Sequence, residues 1–327
     1  MNYIMLKLGE RMKDEFLWVE KYRPNIIEDC ILPDSIKDIF QGYVNQGEIP
    51  NLLLSGRAGV GKTTIAKALC EELGASYIVI NGSDEGRFLD TIRNKVRKFA
   101  TSVSLTATAK HKVVIIDEAD NTTQDVQLCL RNAIEEFHGN CRFIFTCNFA
   151  NKILEPLHSR CSVVEFVVPK DQALSIQKQF LTRLDTILTH EQIEYDVAIV
   201  AKLLKRYYPD WRRLLNEVQS LSTNGKIGVD ALAHAPEISI EALFGYIAKK
   251  DYTNVREWVV NNLNNDFDAL VNKVYRSADT YYGPMDMGNL VLICEDYQRS
   301  TKDCANLEIH MLAFFTEIMF KCKVKQK

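Results

Sequence analysis

Eight consecutive residues restrict what this chain can become more than any other feature. Gly56-Arg57-Ala58-Gly59-Val60-Gly61-Lys62-Thr63 follows the pattern G-x-x-x-x-G-K-T, between the apolar run Leu52-Leu53-Leu54-Ser55 and a stretch of helical period over residues 63–73. A glycine-rich turn in that setting lets successive backbone N–H groups, and the helix N-terminus behind them, face phosphate oxygens at close range. The expected ligand is a nucleoside triphosphate, held by residues 56–61 and by Thr64 in the opening turn of the helix. Lys62 is expected to reach the β- and γ-phosphates, and Thr63 to offer its hydroxyl to Mg²⁺.

A second element completes the chemistry. Val113-Val114-Ile115-Ile116 ends in Asp117-Glu118, two carboxylates at the carboxyl edge of a strand, where open α/β sheets bind their ligands. Asp117 is expected to hold the magnesium or its water. Glu118 is expected to orient and polarise an attacking water. A small-molecule kinase could share the loop, but the following Ala119-Asp120 and the pattern beyond it favour hydrolysis.

The first half of the chain alternates short β-branched runs, at residues 52–54, 77–80, 113–116, 142–146 and 163–167, with segments of helical period. That is the pattern of a parallel sheet flanked by helices, an α/β fold. Beyond Pro169 the pattern is almost wholly helical and strand signals stop. The expected organisation is an α/β nucleotide-binding domain over 1–168, a small helical domain over 169–233, and an all-α C-terminal domain over 234–327. A length of 327 residues suits about two domains at roughly 150 residues each.

The net charge of −3 predicts no nucleic-acid partner in bulk, so any such site must be local. Nine cysteines, odd in number and never in a C-x2-C pair, disfavour zinc and suit buried thiols in a reducing compartment. No run approaches the roughly 18 apolar residues a membrane helix needs, and residues 1–16 are too broken by charge for a secretory signal. A cytoplasmic protein with no membrane partner is expected.

Several further motifs, in order, resemble one family: the AAA+ ATPase subunits of sliding-clamp loaders, similar to the small subunits of replication factor C and to the tailed-phage clamp-loader ATPase. The match includes Glu20-Lys21-Tyr22-Arg23-Pro24, Ile49-Pro50-Asn51, Asn81-Gly82-Ser83-Asp84, Asp117-Glu118-Ala119-Asp120, Asn148 and Ser159-Arg160-Cys161. The resemblance implies a P-loop AAA+ module with a helical lid and a C-terminal collar that holds subunits together. It implies that Tyr22, Arg23 and Pro24 pack near adenine, and that Asn148 helps place the hydrolytic water. Arg212, or its neighbour Arg213, resembles a second sensor of the γ-phosphate. Arg160 resembles an arginine finger inserted into a neighbour's site, which implies oligomerisation; a guanidinium suits charge spread over a transferring phosphoryl group.

Residues 84–112 carry seven Lys or Arg against three acids, a local charge of +4. At 100° per residue Phe88, Leu89, Ile92, Val96 and Phe99 share one stripe, with Arg87, Arg93, Arg97 and Lys98 away from it. In the resembling family this helix follows the backbone of primer-template DNA, which implies phosphate contacts without sequence readout. Glu85-Gly86-Arg87 departs from the cellular family's order. The implied partners are a sliding clamp, primer-template DNA, further copies of this chain and a distinct loader subunit in a ring or spiral. The implied compartment is the cytoplasm, the host's if the source is viral. Two rivals remain: another AAA+ motor such as a branch-migration helicase, whose C-terminus would show winged-helix β-hairpin signals, and a non-hydrolysing structural subunit.

Overall fold

The computed structural model describes residues 15–83, 88–102, 109–228, 240–263, 267–301 and 304–325. The chain divides into two compact units, Met1–Ala231 and Leu232–Lys327.

The first unit opens with α1 (Trp18–Lys21) and α2 (Asp34–Gln46), followed by β1 (Leu52–Ser55), α3 (Lys62–Leu73), β2 (Tyr77–Asn81) and α4 (Phe88–Thr101). Next come β3 (Lys112–Asp117), α5 (Gln124–Glu136), β4 (Cys141–Cys147), α6 (Glu155–His158) and β5 (Ser162–Glu165). The five strands form one parallel sheet in the order β2-β3-β4-β1-β5. Side-chain alternation sends Leu52, Leu54, Val113, Ile115 and Ile144 to one face, where they pack with Ile65 and Leu69 of α3 and Phe40 of α2. Leu53, Val114, Ile116, Phe143 and Phe145 face the other way, against Val96 of α4 and Val126 and Leu130 of α5. Covering both faces is why the strand sequences are apolar throughout.

The expected strand over 163–167 is shorter at its far end. Phe166 still donates its N–H to the Ser55 carbonyl at 2.7 Å, but β1 ends there, and Val167 is 65% exposed. An edge strand stops where its one neighbour stops.

The lid segment comprises α7 (Ala173–His190), β6 (Glu194–Tyr195), α8 (Val197–Tyr207), α9 (Trp211–Leu221) and β7 (Lys226–Ile227). The parallel pair of β6 and β7 corrects the expectation that strands end before Pro169. Two residues per strand are too few to show a period in sequence.

The second unit contains α10 (Ile240–Ala248), α11 (Tyr252–Asn261), α12 (Phe267–Ser277), α13 (Pro284–Ser300) and α14 (Leu307–Lys321). Phe314 and Phe315 of α14 lie at the centre of its core with Leu243, Val259, Val274 and Leu290. Among the described residues its β structure is one isolated bridge, Tyr282 to Val324, so the hairpin of a winged helix is not among them. All nine cysteines are free, and no helix among the described residues is long and apolar enough to cross a membrane.

Candidate active site

A cleft opens at the carboxyl ends of β1, β3 and β4, with the lid helices on its other side. β1 runs directly into the glycine-rich loop, and α3 begins at Lys62 with Gly61 as its N-cap. Gly59 has φ +74°, and a Cβ there would overlap the Asp210 carboxylate. The Gly59 carbonyl also accepts the Trp211 N–H at 3.2 Å. The first turn of α9 thus sits on the loop, which only a glycine at 59 permits.

Lys62 is 8% exposed. Its Nζ donates to the Gly56 and Arg57 carbonyls, each at 2.7 Å, and to Asn148 Oδ1 at 3.0 Å. Burial pulls its ammonium below the usual lysine value, against the opposing pull of Asp117 and Asp120. Asp117 Oδ1 accepts two hydroxyls, Thr63 and Thr146, both at 2.6 Å. Thr63, Asp117, Glu118 and Asn148 therefore converge on one end of the cleft with Lys62.

Glu118 adopts a left-handed backbone, φ 55°, and its N–H donates to Thr146 Oγ1 at 3.0 Å. Its Oε2 accepts the Ser83 hydroxyl and, at 3.1 Å, the Asn121 amide. Gly82 allows this meeting: a Cβ on it would overlap the Glu118 carbonyl, and its N–H donates to the Asp117 carbonyl at 2.7 Å.

At the other end, Tyr22, Arg23 and Pro24 line the cleft with Thr64, Arg183, Phe180 and Trp211. Phe180 and Trp211 stack at 4.1 Å between centroids. The Tyr22 hydroxyl donates to Glu191 and contacts His190 Nδ1 at 2.8 Å. Burial first, then Glu191, pushes that phenol far above its usual value. Arg23 pairs with Glu20 and reaches Thr64 Oγ1 at 3.3 Å. Arg183 donates to the Tyr22 carbonyl at 3.1 Å, and Lys21 pairs with Glu191 at 2.7 Å, so the segment before the sheet is fastened to α7.

Arg212 lines the cleft, whereas the Arg213 guanidinium lies over the Tyr207 ring at 5.3 Å. Ala58, Gly59, Val60 and Gly61 also line it; Gly56 and Arg57 do not, and each meets Lys62 through its carbonyl. Arg160 is not among the lining residues. Its Nη2 and Nε donate to Glu135 Oε1 at 2.6 and 3.0 Å, and its Nη1 donates to the Pro156 carbonyl at 2.7 Å. On α4, Val96 is buried while Arg93, Arg97 and Lys98 are exposed, and Arg97 pairs with Glu136 at 2.9 Å. Arg87 lies outside the described residues, and so does most of the stretch between α4 and β3.

Thr146, Ser83, Asn121, Arg183 and Glu191 are the residues that sequence reasoning left unassigned. The signal for Thr146 was a lone hydroxyl inside the apolar strand Arg142-Phe143-Ile144-Phe145-Thr146-Cys147. Arg183 and Glu191 carried none, since each meets its partners from more than 150 positions away in sequence.

Strand order, loop and acidic strand end together define an AAA+ ATPase module. The profile of the ATPase family associated with various cellular activities (AAA) matches residues 52–169, and that of the sliding-clamp-loader large subunit AAA+ ATPase lid domain matches residues 172–233. The chain is 32% identical to the sliding-clamp-loader large subunit of Enterobacteria phage T4, over 99% of this chain and 100% of that protein. It is 35% identical to the replication factor C small subunit of Saccharolobus solfataricus, over 82% and 77%. Among solved structures it resembles the Thermotoga maritima RuvB Holliday junction branch migration motor with TM-score 0.52 at 21% identity, covering 83% and 84%, a likeness of fold. The chain belongs to the sliding-clamp-loader ATPase subunits and is an ATP-hydrolysing AAA+ protein of that family.

Proposed function

We propose that the chain is one of several ATPase subunits in a ring or spiral that includes a distinct loader subunit. In this reading ATP binding opens a sliding clamp, and primer-template DNA triggers hydrolysis that releases the clamp onto it. The convergence of Lys62, Thr63, Asp117, Glu118 and Asn148 in one cleft carries the proposal.

Within the cleft, Lys62 and the glycine-rich loop bind the phosphates, residues 57–61 through their N–H groups, while the Gly56 N–H is held by the Cys147 carbonyl. Thr63 and Asp117 offer hard oxygens already in contact at 2.6 Å, a donor set that fits Mg²⁺. When bound, the ion would neutralise charge on the β- and γ-phosphates. Glu118 takes the proton of the attacking water once it leaves Ser83 and Asn121, and Asn148 fixes where that water stands. Tyr22, Arg23 and Pro24 border the base, and Arg212 reaches the γ-phosphate from the lid.

Arg160 serves a neighbouring copy's site. Its place outside this chain's own cleft supports that reading, with Glu135 holding the guanidinium meanwhile. Arg93, Arg97 and Lys98, together with Arg87, follow DNA phosphates. Divisions at 168 and 233 separate the ATPase core, the lid and the collar, and the compartment is the cytoplasm, the host's for a viral source. The branch-migration alternative shares only the fold.

Steady-state ATP hydrolysis by the assembled loader, with and without primer-template DNA and clamp, tests this for wild type and Arg160→Ala. Stimulation by both ligands that is lost in the variant, with ATP still bound, is expected. Stimulation by DNA alone, or a variant equal to wild type, refutes it.

A further inference from the structure

Asp120, the last acid of Asp117-Glu118-Ala119-Asp120, lies in the 3-10 turn Ala119–Asn121 and is 7% exposed. Its Oδ2 accepts two backbone N–H groups, from Asn148 at 3.1 Å and Phe149 at 3.2 Å. Its Oδ1 is buried and meets no hydrogen-bond partner among the described residues. A buried carboxylate with half its acceptor capacity unused is a costly way to tie down a turn, so what it holds must be worth holding.

The two N–H groups belong to the first residues past β4, where the sheet ladder has ended. They fix the backbone from which the Asn148 side chain springs. The preceding Cys147 carbonyl accepts the Gly56 N–H at 3.2 Å, and Asn148 Oδ1 accepts Lys62 Nζ at 3.0 Å, which leaves Nδ2 as the donor end of that amide. The phosphate loop thus constrains the Asn148 turn on one side. Asp120 constrains it on the other. One carboxylate oxygen suits this task, because it can accept two N–H groups and its charge strengthens both bonds.

We propose that Asp120 is a positioning residue for hydrolysis, holding Asn148 in register with Lys62 and Glu118 and acting on the reaction only through Asn148. The proposal rests on the part in hydrolysis assigned to Asn148 above.

The test is a double-mutant cycle in the assembled loader, with clamp and primer-template DNA, for Asp120→Ala, Asn148→Ala and the pair. Each single variant is expected to lower kcat on the order of 10–100-fold with KM and nucleotide affinity nearly unchanged. The double variant should lie within about threefold of Asn148→Ala, since two residues acting as one unit are not additive. Effects that multiply, or ATP affinity lost along with kcat, overturn the proposal. Asn148→Ala equal to wild type removes the parent reading and this one together. A defective Asn148→Ala beside an unaffected Asp120→Ala removes only the positioning role. Should Asp120→Ala not fold, Asp120→Asn carries the same cycle: it keeps one acceptor oxygen without the charge.

Discussion

Thr146→Val isolates the hydrogen bonding that joins β4 to the acidic end of β3. The residue is 2% exposed, and valine fills nearly the same volume. The substitution removes a bond to the Asp117 carboxylate at 2.6 Å and the acceptor for the Glu118 N–H at 3.0 Å. A hydrogen bond to a charged group contributes about 1.5–3 kcal/mol and an orphaned buried donor costs about 1–3 kcal/mol. Burying a methyl in place of the hydroxyl offsets about 0.8 kcal/mol. The net destabilisation expected is about 2–5 kcal/mol, a drop on the order of 4–20 °C in the melting of the first unit. Thermal unfolding followed by circular dichroism at neutral pH measures it, with Thr146→Ser as the control that keeps the hydroxyl. A valine variant melting within about 1 °C of wild type would falsify the reasoning, because a change that small lies below a single net hydrogen bond.

Three further outcomes follow from the site. Replacing both Ser83 and Asn121 by alanine frees Glu118 Oε2 from its two donors; DNA-independent hydrolysis should rise several-fold with ATP affinity unchanged, and an unaltered basal rate counts against the restraint. Gly59→Ala, strained at φ +74° and overlapping Asp210, should lose ATP binding in isothermal titration and melt earlier; wild-type affinity would mean the loop and lid separate freely. Burial lifts the Glu191 carboxyl, but hydrogen bonds from Lys21 and Tyr22 outweigh it and leave it below the usual value. A carboxyl lowered on folding adds stability that is complete above its unfolded value and lost as pH falls through the folded one. Amide protection factors over residues 18–23, each referred to the intrinsic exchange rate at the same pH, should therefore fall below about pH 4, and equal protection factors at pH 7 and pH 3.5 contradict that coupling.

Much of the first unit was legible before the structure. The loop at 56–63, the acidic strand end at 117–118 and the apolar strands each carry local information: spacing for the loop, periodicity for the strands, and chemistry for the carboxylates. The lid was legible as helices, but its two-residue strands were not, and neither was which of Arg212 and Arg213 borders the cleft. The Arg213 guanidinium lies over the Tyr207 ring, and Arg212 lines the cleft. Asp120 was visible as part of a motif with no task, because its task is defined by two N–H groups 28 and 29 positions away.

The sequence by itself determined the fold class, the phosphate-binding loop, the carboxylate pair and the family, since each rests on short-range pattern that no packing can alter. Tertiary structure alone decided the relations among them. It set Lys62 against Asn148, gave Asp117 two hydroxyls, turned Glu118 toward Ser83, and paired Arg160 with Glu135 away from this chain's own cleft. Such contacts join residues far apart in the chain, and their geometry follows from which strands are neighbours in the sheet. A linear pattern does not encode that adjacency.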